Sequence, residues 1–371
     1  MIVFHQQNYL YKLCLLSSIL MIITSFLNIM YILRHPTTHV DGEHDKQKLS
    51  TTVKPEDSSQ TTKVMKIPNN QSIIFQAAFK KMLDSFNEKF ISTMHQHNST
   101  NVLCPSIPPD LEGPLIIKGL PKNFSLFNES SYHFQVQLGG RHQPKTCLAR
   151  HKVAIIVPYR NRWEILEQFL FHTHIFLQRQ QLDYRIFVCE QAYDKTFNKG
   201  IVMNGCFKEI LKLEPNTRCF IMHDVDLLLI DDRNMYSCPT NPRHLSVAVD
   251  KFQFYLPYPE LVGGVLAMRR EHYLLVNGYS TNYWGWGGED DDMHKRIVKK
   301  KLILDRPPAA IARYKMLKHS HQKLNPARMK VLRTANNRID SDGVNNVIYK
   351  LLNTTLYHLY THLLIDVGEQ H

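Results

Sequence analysis

Between Leu13 and Leu33 the chain reads LCLLSSILMIITSFLNIMYIL, without a charged side chain. At ~1.5 Å per helical residue such a run crosses a bilayer core of ~30 Å. Lys12 and Arg34 bracket it. The run exceeds the apolar core of a cleaved signal peptide, and it is not succeeded by a small-x-small cleavage site. The pattern therefore predicts one signal-anchor helix over 13–33, with residues 1–12 as a cytoplasmic tail. The flanking charge is nearly symmetric, so orientation has to come from the residues beyond Arg34. From about His35 to Gln71 the chain is polar and too poor in large apolar residues to bury a core. It predicts a stem over residues 34–103. Within that stem, Ser72 to Met94 carries apolar residues at helical spacing. That stretch reads equally as a self-associating helix, which would make the protein a homodimer, or as a solitary surface helix.

The folded part is expected over 104–371. Val153 to Val157 (VAIIV) is a continuous apolar run stopped by Pro158, the pattern of a strand buried on both faces. A helix is predicted from about Trp163 to Gln178 and a strand from Tyr184 to Cys189. A second helix runs from Asn198 to Leu213, then a strand from Cys219 to His223 that ends on Asp224. This β-α-β-α-β order predicts an α/β fold with a central, mostly parallel sheet. Ligands of such sheets bind beyond the carboxyl ends of the strands.

A hydrophobic fraction of 43% over 371 residues allows a sizeable core. The formal net charge of +12 is spread along the chain, and no zinc-finger, helix-turn-helix or RNA-recognition pattern accompanies it. Nucleic acid is thus set aside as a partner, which leaves anionic surfaces and phosphorylated ligands. N-glycosylation acceptors occur at Asn98, Asn123, Asn128 and Asn353, all beyond the apolar run. Their position fits a single-pass type II protein with a lumenal carboxyl-terminal part. Of seven cysteines, Cys14 lies in the expected anchor. The others, Cys104, Cys147, Cys189, Cys206, Cys219 and Cys238, show no CxxC or Cys/His zinc spacing. An oxidising lumen would permit disulfides among them.

The stretch with the most chemistry is NYWGWGGEDDD, Asn282 to Asp292. Three glycines and four consecutive acids make a poor helix interior and a poor strand. One reading is a loop where Trp284 and Trp286 stack on a ligand beside carboxylates able to accept a proton. The other is an aromatic turn before a solvated acidic helix start. Four further segments carry polar groups at strand ends or in the loops beyond. In PYRNR, Arg160 and Arg162 can aim two guanidinium groups at phosphates, or simply turn a strand into a helix. In Asp224-Val225-Asp226 both carboxylates face one side of an extended backbone, as a divalent metal against a diphosphate requires. FNKG (Phe197 to Gly200) and KMLKHSH (Lys315 to His321) are weak signals on their own.

WGWGGEDDD, nine residues in a row, resembles the signature of the β-1,4-galactosyltransferase family (glycosyltransferase family 7), and the likeness extends from roughly Cys104 to Val367. The resemblance implies a nucleotide-sugar transferase fold of GT-A type. PYRNR is similar to the family's PFRNR, which places Pro158, Tyr159, Arg160 and Arg162 at a uridine diphosphate. FNKG is similar to FNRA, which makes Phe197 and Lys199 donor contacts, with a point charge in place of a fork. The Asp-Val-Asp string is similar to the family's SDVDLIP stretch, with Asp224 and Val225 at the donor and Asp226 on manganese. Asp231 and Asp232 are left to begin a solvated turn. Met316 and His319 occupy the places of the family's other manganese ligands. Asp290 is then the catalytic base, Glu289 holds acceptor or donor sugar, and Trp286 covers the donor. Tyr258, Gly287, Gly288, Asp291 and Arg328 fall at acceptor positions. The implied bridges are Cys104–Cys147 and Cys219–Cys238, leaving Cys189 and Cys206 as buried thiols.

The chain departs from the family pattern at Leu261, where galactose-preferring members carry tyrosine. A smaller aliphatic residue there accompanies use of UDP-GalNAc, as in invertebrate members that build the GalNAcβ1-4GlcNAc unit. The loop after His319 is shorter than usual, and Met329 stands where an aromatic is common. The resulting expectation is a Golgi-membrane type II enzyme, inverting, that moves galactose or N-acetylgalactosamine from UDP-Gal or UDP-GalNAc to O4 of a GlcNAc-terminated glycan. Its rivals are a carbohydrate-binding protein that has lost catalysis and a metal-dependent phosphohydrolase.

Overall fold

The computed structural model describes residues 102–122, 124–126, 134–319 and 324–370. The chain divides into two units, Met1–Ala78 and Phe79–His371, and every described residue belongs to the second. The expected tail, anchor and helical stem, with Asn98, Asn123 and Asn128, lie outside the described residues. Among the described residues no helix is long and apolar enough to cross a membrane.

The described strands are β1 (Arg141–His142), β2 (Lys152–Tyr159), β3 (Asp183–Gln191), β4 (Cys219–His223), β5 (Leu227–Leu229), β6 (Arg243–His244), β7 (Ala248–Val249), β8 (Val265–Arg269), β9 (Arg313–Met316), β10 (Lys350–Leu356) and β11 (Thr361–Asp366). The helices are α1 (Trp163–Arg179), α2 (Lys199–Leu213), α3 (Arg270–Leu275), α4 (Glu289–Lys299), α5 (Arg328–Arg333) and α6 (Ala335–Arg338). The larger sheet has eight strands in the order β10-β11-β3-β2-β4-β8-β6, with β1 paired to β3 off that path. Strands β11, β3, β2 and β4 run parallel to one another, while β10, β8, β6 and β1 pair antiparallel. The sheet expected to be mostly parallel is therefore mixed, with parallel strands only at its centre. The helical crossovers that force parallel pairing were read only between β2 and β4, and the later strands join at the flanks.

Strand β2 explains its own apolar run. Val153, Ile155 and Val157 pack with Leu166, Phe169 and Leu170 of α1 on one face. Ala154 and Ile156 pack with Val202, Cys206 and Phe207 of α2 on the other. With a core on both faces, neither parity of side chain is free to be polar. The strand does not stop at Pro158, as expected, but continues through Tyr159. Its ladder with β4 ends at Ile156 while that with β3 runs on to Tyr159. Pro158 thus sits where one flank is already an edge, and a missing N–H is tolerated there. Helix α2 is capped by Asn198, whose side chain accepts from the Ile201 N–H at 2.9 Å.

The bridges Cys104–Cys147 and Cys219–Cys238 are formed. The second ties the start of β4 to the segment beyond β5. Cys189 and Cys206, expected as separate thiols, are also joined. Both are fully buried, and the packing of α2 against β3 brings them together. Asp231 and Asp232, expected to begin a solvated turn, are buried instead. Asp232 accepts from the backbone N–H groups of Glu112 at 2.9 Å and Gly113 at 2.7 Å. Partners 119 or more positions away in sequence turn an apparently exposed acid into an anchor for the amino-terminal segment.

Candidate active site

Five chain segments converge at the carboxyl ends of β2 and β4 on a cleft of roughly 770 Å³, its open mouth included. The β2 end contributes Pro158, Arg160 and Arg162, and the β4 end Asp224, Val225 and Asp226. The amino ends of α2 and α4 add Phe197, Lys199, Glu289 and Asp290. Gly285, Trp286 and His319 complete the wall. The acidic run is thus both a helix start and a cleft wall, so the two sequence readings were not exclusive. Gly285, Gly287 and Gly288 take φ of +86°, +102° and +95°, a region that other residues enter only with strain. A Cβ on Gly288 would lie 2.7 Å from the Tyr283 ring.

Lys199 is the centre of charge. Its ammonium lies 3.0 Å from Asp224, 3.3 Å from Asp290 and 3.4 Å from Glu289. Burial alone would lower its pKa, but Asp224, Asp290 and Glu289 together hold it well above its ordinary value. Asp290 shows the converse. Burial pushes its carboxyl up to about 8, against the pull of Lys199, and the neighbouring Glu289 and Asp224 charges add to the rise. Glu289 keeps one carboxylate oxygen buried without a hydrogen-bond partner.

Asp226 and His319 face each other at 2.7 Å. Burial raises the Asp226 pKa, Asp224 adds to it, and His319 opposes it. Among the described residues no three His, Cys, Asp or Glu side chains are grouped to hold a metal. Met316, expected as a thioether ligand, does not line the cleft with Asp226 and His319 but lies on the neighbouring strand β9. It pairs with Leu227 across the β5–β9 ladder, and Leu317 donates to the Asp226 carbonyl at 2.7 Å. A carboxylate, an imidazole and a thioether suit a divalent first-row ion softer than magnesium.

Behind Asp224 lies a buried polar chain that no sequence pattern announces. Asn234 Nδ2 lies 3.3 Å from the Tyr314 hydroxyl, which lies 3.0 Å from the Tyr236 hydroxyl. The Tyr236 hydroxyl is 2.7 Å from His223 Nε2, and His223 Nδ1 is 2.9 Å from the Asp224 carbonyl oxygen. Burial that lowers the His223 pKa to about 4 keeps the imidazole neutral. Nδ1–H donates to the Asp224 carbonyl, so Nε2 accepts from the Tyr236 hydroxyl, which in turn accepts from Tyr314.

Around the mouth, Trp286 is 54% exposed and Arg328 stands 5.7 Å over its ring. Arg328 also has a buried nitrogen without a partner, and its side chain fills the space beside Gly287. The Tyr258 hydroxyl donates to Asp291 at 2.9 Å. Two expected donor contacts lie elsewhere. Tyr159 is buried in the core under α1, and its hydroxyl accepts from the Arg162 N–H at 3.1 Å. The alternation of a strand that continues past Pro158 turns it inward. Leu261 does not line the cleft. Its carbonyl accepts from Arg306 at 3.0 Å, and it lies two residues before Gly263, whose α-carbon abuts the Asp290 carboxylate. Arg160 bonds the Lys195 carbonyl and stands 5.3 Å over the Phe197 ring.

Residues 104–239 match the N-terminal region of glycosyl transferase group 7, and residues 243–320 match the N-terminal domain of galactosyltransferase. Mouse β-1,4-galactosyltransferase 1 is 44% identical over 269 residues, covering 71% of this chain and 67% of the mouse protein. This chain belongs to the β-1,4-galactosyltransferase family. Bovine β-1,4-galactosyltransferase 3 is 42% identical over 269 residues, covering 71% of this chain and 68% of that one. The catalytic domain of Drosophila β-1,4-galactosyltransferase 7, solved with xylobiose, superimposes with a TM-score of 0.52 at 31% identity, covering 59% of this chain and 95% of that one. A mutant of the same Drosophila enzyme, with the same similarity, was solved with manganese, UDP-Gal and xylobiose.

In this β-1,4-galactosyltransferase family member the last acid of the motif has a task that sequence reading missed. Asp292 is buried and pairs with Arg296 at 2.5 Å and Arg338 at 3.3 Å. It also accepts from the Tyr283 hydroxyl at 2.9 Å. Arg296, fully buried, continues to Asp342, which accepts from the Thr281 N–H at 2.7 Å. Two arginines and two aspartates, in four ion pairs, thus tie the loop before the motif, α4 and α6 into one unit. The spacings Asp292–Arg296 and Arg338–Asp342, each i,i+4, were visible in the sequence. Their burial was not.

Proposed function

We propose that the protein is an inverting β-1,4-glycosyltransferase that moves galactose or N-acetylgalactosamine from its UDP donor to O4 of a terminal N-acetylglucosamine. The observation that carries this reading is one cleft that unites Asp290, held at Lys199, with the Asp226–His319 pair and the guanidinium groups of Arg160 and Arg162. Asp290 takes the proton from the acceptor O4 as that oxygen bonds to the anomeric carbon and the bond to the diphosphate oxygen breaks. Arg160, Arg162 and Lys199 face the charge left on UDP. Asp226, His319 and Met316 would hold manganese, which supplies Lewis-acid stabilisation of the departing diphosphate. Trp286 and Arg328 present an aromatic face and a donor to the acceptor. The anchor over 13–33 and the acceptor site at Asn353 support a type II protein of the Golgi membrane. The test is release of UDP from UDP-Gal and from UDP-GalNAc, with and without manganese and N-acetylglucosamine. Release indifferent to both additions overturns the reading.

Three particular residues carry expected outcomes. Because the ionised form of Asp290 is the active one and its carboxyl stands at about 8, kcat/KM is expected to rise with pH up to about 8. Each pH unit below that should cost about tenfold. A profile flat between pH 6 and 8 would assign proton transfer elsewhere. Because Leu261 lies outside the cleft, Leu261→Tyr is expected to move the donor ratio toward UDP-Gal by less than the ~10-fold of a direct pocket contact, read in direct competition between the two donors. His223→Phe leaves the Asp224 carbonyl and the Tyr236 hydroxyl without their partner, a loss of ~1–3 kcal/mol. UDP affinity should fall accordingly in calorimetry, with part of it regained in His223→Asn, whose amide can donate in place of Nδ1–H.

A further inference from the structure

A second hollow, of roughly 630 Å³ with its open mouth, shares no lining residue with the cleft. Arg233, Arg243 and Arg306 line it together with Asp305, and Pro307 and Ile311 give it an apolar wall. The three guanidinium groups are unequally satisfied. Arg233 is held by both carboxylate oxygens of Asp231, at 2.8 and 2.5 Å. Arg243 reaches Asp305 only at 3.8 Å, and its Nε is buried with no acceptor. Arg306 spends its hydrogen bonds on neutral groups, the carbonyls of Pro259 and Leu261 at 2.5 and 3.0 Å and His244 Nδ1 at 3.4 Å. Within the lining, three cations face the single carboxylate of Asp305, with Asp231, Asp232 and Glu260 acting from outside it, and the Arg243 Nε–H stays unanswered. Guanidinium groups so placed match the paired oxygens of a sulfate or carboxylate, and the apolar wall matches the face of a ring.

We propose that this hollow binds the oxyanion of an anionic sugar, a sulfate ester or a uronate, with Arg243 and Arg306 as its donors. The site is wired to the cleft. Because His244 Nδ1 accepts from Arg306, its Nε2 carries the proton and donates to the Gly263 carbonyl at 2.9 Å. The Gly263 α-carbon packs so tightly on Asp290 that a Cβ there would come within 2.5 Å of the carboxylate. Through Pro259 and Leu261 the same arginine braces the loop that carries Tyr258. A ligand on Arg306 therefore acts on the acceptor side of the cleft, a consequence that rests on the transferase reading. The binding itself does not.

The test is calorimetry of the full-length protein with N-acetylglucosamine 6-sulfate, glucuronate and inorganic sulfate, against chloride at equal ionic strength. No turnover is read, so its failure is distinct from failure of the transferase assay. The expected result is saturable binding of the sulfated sugar or the uronate, tighter than that of inorganic sulfate. It should weaken ~10-fold or more in Arg243→Gln. Arg306→Gln, at the other proposed donor, provides a second variant should the first fold poorly, and is expected to weaken binding in the same direction. No saturable heat above chloride overturns the proposal. So does binding as tight for inorganic sulfate as for the sugars, or binding undiminished in both variants.

Discussion

Replacing Asp290 by asparagine is expected to lower kcat by at least ~10²-fold, the lower end of what a positioned general base contributes. UDP affinity should change little. The substitution keeps the shape and leaves Lys199 with Asp224 at 3.0 Å and Glu289 at 3.4 Å, so the cation is not stranded and the fold should hold. Single-turnover kinetics and UDP calorimetry on the same preparation separate the two effects. A loss under tenfold would transfer the role to Glu289, whose second oxygen is buried and unpartnered.

The largest expected change in stability comes from Arg296→Leu. The side chain is fully buried, bonded to Asp292 at 2.5 Å and to the Asp342 carbonyl at 2.7 Å. Removing it leaves two carboxylates in the interior with Arg338 as their remaining cation, beside the neutral donors Tyr283 and Thr281. Breaking a buried pair from one side costs about 3–5 kcal/mol, a large part of the stability of an ordinary domain. Denaturant unfolding should report the loss directly. A double replacement that also turns Asp292 into asparagine should recover part of it, because the uncompensated charge rather than the missing contact dominates the penalty. A single variant with unchanged unfolding would mean that the network contributes nothing to the fold.

Strands β2, β3 and β4 and helices α1 and α2 were legible because each lies in the doubly covered part of the sheet, where burial imposes an unbroken apolar run or a helical stripe. The two-residue strands β1, β6 and β7 carry no period to read. The site was legible where one segment holds all its parts, as in WGWGGEDDD. It was less so where the decisive fact is which distant side chain arrives. Lys199 could be placed at the donor from FNKG, but not at the meeting point of three carboxylates drawn from β4 and α4. Asp231, Asp232 and Asp292 are chemically the same as the exposed acids around them. Gly113 and Arg179, far off in sequence, make Asp232 structural, and Arg296, hidden in the interior, does so for Asp292, while Asp231 is held by Arg233 two residues on.

The alternation along β2 also limits how this protein can change in length. Val153, Ile155 and Val157 belong to one core and Ala154 and Ile156 to the other. Deleting one residue between Lys152 and Val157 would exchange the two layers at every later position and turn Arg160 and Arg162 out of register with the β4 end. Insertions and deletions are therefore confined to the connections outside the sheet, while the strand that delivers the two arginines to the cleft is held to a fixed count of residues.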